Sequence, residues 1–150
     1  MDRRSTILVE PLQVEQLSQV IAQATAPSFL LGAVSGFVAV LIGRMNNVLD
    51  RIRTINAIGE NDPSRGRLKA DLPRLVRRAG LLNRAILLAV SSAIATTTLV
   101  ILAFGSAMLG LRHEPGAAVI FVLALGLMAA ALFTLAQEVR IALTEYDHYS

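Results

Sequence analysis

Cysteine is absent from the 150 residues, which removes disulfides, thiolate metal sites and thiol catalysis together. Histidine occurs only at His113 and His148. His113 adjoins Glu114, but neighbouring side chains in a turn diverge, and His148 belongs on the other side of the arrangement derived below. No metal or other cofactor is expected. Nucleophile elbow, phosphate-binding loop and dinucleotide fingerprint are all missing, so the chain is not expected to be an enzyme. Aromatic residues make up 5% of the chain and do not interleave with the arginines, which argues against nucleic-acid binding. The absence with most consequence is of charge. No ionisable group occurs from Ala85 to Leu111, nor from Gly116 to Gln137.

Each of those runs is long enough to cross a hydrocarbon core about 30 Å thick at about 1.5 Å of helix rise per residue. A shorter apolar run, Phe29 to Ile42, gains length from its flanks and makes a third crossing. The apolar content of 54% and the mean hydropathy of +0.58 agree with a small integral membrane domain. Three helices enclose little interior. A wide path or deep cavity would need several copies.

Ten of the fourteen Lys and Arg residues lie between Arg44 and Arg84, against the four acids Asp50, Glu60, Asp62 and Asp71. The positive-inside rule puts this first connection in the cytoplasm. The short, nearly neutral second connection, Arg112 to Pro115, falls on the opposite side. The N-terminus is then outside and the C-terminus inside. The first residues lack the compact apolar stretch and small-residue cleavage site of a secretory leader.

Leu12, Leu17, Val20, Ile21 and Ala24 recur at helical spacing against glutamines, which predicts an amphipathic interfacial helix over 11–25 that begins at Pro11 and breaks at Ala26-Pro27. The first span with its cytoplasmic extension then covers 27–58. Val48, Ile52 and Ile55 form one apolar row; Leu68, Leu72, Leu75, Ala79, Leu82 and Ile86 step by four and three, the spacing of a coiled-coil seam. The two spans should therefore continue as an antiparallel cytoplasmic hairpin. Its turn is expected over 59–70, where Gly, Asn, Asp and Pro cluster. Pro73 disfavours a helix interior, so the second helix is expected to start near Asp71 and run to Leu111, with the third over 116–146.

Several groups of residues could carry a function. Ser91, Ser92, Thr96 and Thr98 give the second span a polar content that suits either hydroxyls bonded within the protein or the lining of a pore. Arg44, Asp50, Arg51, Asn83, Arg84, Glu138 and Arg140 fall near the inner ends of the spans. A carboxylate at the edge of hydrocarbon needs a partner, so Glu138 should meet Arg84 or Arg44. In an oligomer this cluster would repeat as a charged ring. Arg74, Arg77 and Arg78 suit anionic lipid headgroups. Gly32 and Gly36 form a GxxxG that permits close helix packing, and Ala124, Ala131, Gly126 and Ala130 offer small faces on the third span.

Ala26-Pro27 before an apolar stretch ending in Arg44, then Asp50-Arg51-Ile52-Arg53, resembles the opening of a bacterial family of small triple-span membrane proteins, domain of unknown function 2721. Arg77-Arg78-Ala-Gly-Leu-Leu-Asn83-Arg84-Ala85-Ile86 and Glu138-Val139-Arg140-Ile-Ala142 are similar to that family's second and third blocks. Gly80 stands where a bulkier residue is more usual in that family. The resemblance spans roughly Pro11 to Glu145 and implies a bacterial inner-membrane protein with three spans and no established activity.

Two functions follow from these features. One is a homo-oligomeric, ion-conducting pore. The other is an accessory or scaffold protein whose basic hairpin binds anionic membrane lipids or a cytoplasmic protein partner.

Overall fold

The computed structural model describes residues 3–59, 65–108 and 114–143, with side-chain surroundings described mainly from Ser18 onward. They form three helices and, among the described residues, no strand: α1 (Arg3–Ala57), α2 (Arg65–Met108) and α3 (Glu114–Leu143). Each contains a stretch long and apolar enough to cross a membrane, at Thr25–Ala57, Leu68–Ser106 and Gly116–Leu143. Little of that apolar surface is inside the protein. Phe29 is 81% exposed and Phe133 67%, an arrangement that suits hydrocarbon outside the bundle and would be costly in water.

Interior positions follow a seven-residue repeat. On α1 the buried row is Pro27, Val34, Leu41, Val48 and Ile55; on α3 it is Ala124, Ala131 and Glu138. Helix α2 has two such rows, Leu75, Leu82, Ala89 and Thr96, and Ala85, Ser92 and Leu99, because it packs against both neighbours. A strict seven-residue repeat holds a straight helix in contact only if the helices coil left-handedly around each other. α1 and α3 therefore flank α2.

The two seams differ in bulk. The α1 row is mostly branched, whereas α2 meets α3 through Ala85, Ser92, Ala124 and Ala131. Small residues let backbones approach, and the Ser92 hydroxyl donates to the Ala124 carbonyl at 2.7 Å, from one helix to the next. Arg78 meets Glu138 two heptads away along both helices, so α2 and α3 run antiparallel without a slip in register.

Two helix boundaries depart from the sequence expectation. Helix α1 continues through Pro11 and Pro27 instead of starting at the first and breaking at the second, so the proposed interfacial segment 11–25 is part of one long helix. The physical reason is clearest at Pro27, which lies in the buried row. Ending the helix there would expose several unpaired N–H and C=O groups to a dry environment, whereas proline leaves one carbonyl without its donor. Helix α2 likewise begins at Arg65, well before Asp71, and carries Pro73 in its interior. Leu68 and Leu72 pack against the core, and Pro73 is exposed, where water can satisfy the freed carbonyl. The centre of the expected turn (60–64), the expected end of the second helix with the first half of the second connection (109–113), and the final stretch (144–150) lie outside the described residues.

Adding volume at the small seam should be far more costly than adding it on the lipid side. Ala131→Leu is expected to destabilise the protein by about 1–3 kcal/mol, and Ala129→Leu, on the exposed face, to be nearly neutral. Thermal unfolding in detergent reads the difference.

Candidate functional site

The buried row of α3 ends in a charge. Glu138 is fully buried, and each of its oxygens is held by a different helix. Arg44 of α1 donates to Oε2 through Nε at 3.1 Å and Nη2 at 2.6 Å, while Arg78 of α2 donates to Oε1 through Nε at 2.9 Å. These are charge-assisted bonds, and with two cations on one anion the carboxylate is compensated where it would otherwise be expensive. The side chains of Arg44 and Arg78 remain 36% and 16% exposed, so the cluster is not wholly closed off on its arginine side. Chemically the cluster can lock rotation and axial register of all three helices.

Arg44 is one of the two partners expected for Glu138; the other, Arg84, is exposed and elsewhere. Six residues separate Arg84 from Arg78, roughly 9 Å along α2 and onto another face. Arg78 lies one heptad before Ala85 and two before Ser92, and this phase is the signal that singles it out. Asn83 and Arg140 are exposed as well, and Asp50 pairs along α1 with Arg53 at 3.2 Å. Arg51 shares a cleft with Arg44 and Arg78. Of the three arginines assigned to lipid, Arg74 and Arg77 are exposed, whereas Arg78 is engaged by Glu138.

The hydroxyls divide between two environments. Ser92 and Thr96 are buried, the first bonded across to α3 and the second donating to the Ser92 carbonyl at 2.8 Å. Ser91 and Thr98 are exposed, and Thr98 donates to the Ile94 carbonyl at 2.9 Å. A groove of about 520 Å³ between α1 and α2 includes Ser35, Thr97 and Thr98 in its lining. All three hydroxyls bond to their own helix, which leaves the groove apolar in character. A Cβ added at Gly32 or Gly36 would meet nothing within 4 Å, so the GxxxG face is open in the single chain.

The sequence matches the family described as Protein of unknown function (DUF2721) over residues 24–148, most of its length. The chain belongs to this family. No curated protein and no solved structure matches it. The DUF2721 region includes Arg44, Arg78 and Glu138, whereas the first 23 residues, nearly all of them in α1, lie outside it.

Removing the acid alone should strand two arginines. Glu138→Ala is expected to cost about 3–5 kcal/mol, and replacing Arg44, Arg78 and Glu138 together by methionine to recover most of that loss. Unfolding midpoints of the two variants in detergent provide the comparison.

Proposed function

We propose that this member of the family is a non-enzymatic, multi-pass protein of the bacterial inner membrane that acts as an accessory or scaffold. Its basic helical hairpin lies in the cytoplasm, binds anionic lipid at the inner surface and offers its far end to a cytoplasmic protein partner. The observation that carries this reading is the projection of α1 and α2 past Glu138. From Arg44 to Ala57, and from Arg65 to Arg78, each helix extends roughly 20 Å beyond the ion cluster. Val48, Ile55 and Leu75 fill the seam between the projecting arms, so their basic side chains sit on a packed support.

Arg51, Arg53, Lys69, Arg74 and Arg77 are exposed there. Near an anionic leaflet each contributes about 1 kcal/mol of attraction. The same charge supports a cytoplasmic hairpin and C-terminus, with the N-terminus outside. A homo-oligomeric pore would use the polar residues differently. It draws less support, because Ser92 and Thr96 are taken up inside one chain and Glu138 is sealed from any lumen by its own arginines.

The lack of native cysteine makes orientation straightforward to measure. Gly59→Cys should react with a membrane-impermeant thiol reagent in inverted vesicles and not in intact cells; the opposite pattern would reverse the orientation. For function, purified protein in vesicles should give no ion flux above empty vesicles while enriching anionic over zwitterionic lipid. Lys69→Gln/Arg74→Gln/Arg77→Gln should weaken that enrichment, and a robust selective flux would favour the pore instead.

A further inference from the structure

Arg44, Asn47, Val48 and Arg51 follow at i, i+3, i+4 and i+7, the spacing of one helix face. With Leu75 and Arg78 of α2 they line a cleft of about 240 Å³. Three arginines and an asparagine therefore line one space, and no acid is among its lining residues. Glu138 accepts from Arg44 and Arg78, Asp50 pairs with Arg53, and Asp71 borders a separate small cavity with Arg74 and Arg78. Arg44 reaches Glu138 through Nε and Nη2. Its Nη1 amino group and the second Nη2 hydrogen remain for another acceptor.

The position narrows the acceptor's identity. Arg44 closes the apolar stretch of α1 and Glu138 closes that of α3, so the cleft opens where hydrocarbon gives way to headgroups. Its volume is roughly eight times a water molecule's ≈30 Å³ share of the liquid, room for a tetrahedral anion with its ester atoms. Planar guanidinium forks match the paired oxygens of phosphate. We propose that this cleft binds the phosphate group of an anionic phospholipid, one headgroup per chain. The site deepens the accessory reading above and rests on it, since it requires the basic end to face an anionic leaflet.

Native mass spectrometry of the full chain in detergent, titrated with phosphatidylglycerol or phosphatidylcholine, tests the site, with inorganic phosphate as a competing arm. The expected result is one saturable equivalent of phosphatidylglycerol per chain that phosphatidylcholine does not replace and millimolar phosphate does not displace. Arg51→Gln and Asn47→Ala leave the Glu138 clamp intact. Each should weaken that equivalent by about tenfold, the loss of one hydrogen bond to a charged group. Arg74→Gln/Arg77→Gln should leave it in place. Wild-type affinity in both cleft variants overturns the proposal, and ready displacement by inorganic phosphate overturns the lipid as the source of the anion. If wild type binds anionic lipid only in a graded, unsaturable way, the cleft site falls while the accessory reading stands. No preference for anionic lipid removes both.

Discussion

Glu138 is the one buried acid in the described part of the protein, and all three helices are arranged around it. An uncompensated carboxylate at that depth would be expelled or neutralised, so its burial requires that Arg44 and Arg78 arrive together. Apolar side chains in lipid gain little from choosing one neighbour over another, because hydrocarbon surrounds the bundle as well. The ion cluster and the Ser92–Ala124 hydrogen bond supply directional contacts that discriminate among registers. Both sit on the same seven-residue row of α3 or directly across from it, two heptads apart.

This spacing also explains why two seams of unequal bulk coexist on α2. Alanine and serine on the α3 side bring backbones near enough for a side-chain hydroxyl to reach a carbonyl of the adjacent helix. Branched residues on the α1 side make a bulkier seam that continues into the projecting arms. The DUF2721 membership adds a family and no activity, so the functional argument rests on where charge and hydroxyls lie.

Much of the fold was legible from charge-free runs, which locate the three spans because lipid tolerates few alternatives. The seam from Leu68 to Ile86 and the small residues Ala124 and Ala131 were readable for the same reason, as spacing and size survive where hydropathy is uniform. Helix ends were less legible. Pro11, Pro27 and Pro73 argue for boundaries in a peptide, yet packed leucines and the shortage of water carry the helices through them. The partner of Glu138 was half legible: aligning the ends of apolar runs selects Arg44 correctly but points to Arg84, because the charge-free run of α2 is displaced along its neighbours. Heptad phase, a finer ruler, selects Arg78.

Helix α1 has a mechanical consequence. Its 55 residues form one helix roughly 80 Å long, tied to α2 and α3 near Arg44 and extending well to either side. A rod seated on its neighbour from Val34 to Ile55 has no free pivot at the ion cluster. A load on either tip is therefore borne by the whole packed stretch and not by the charged residues alone.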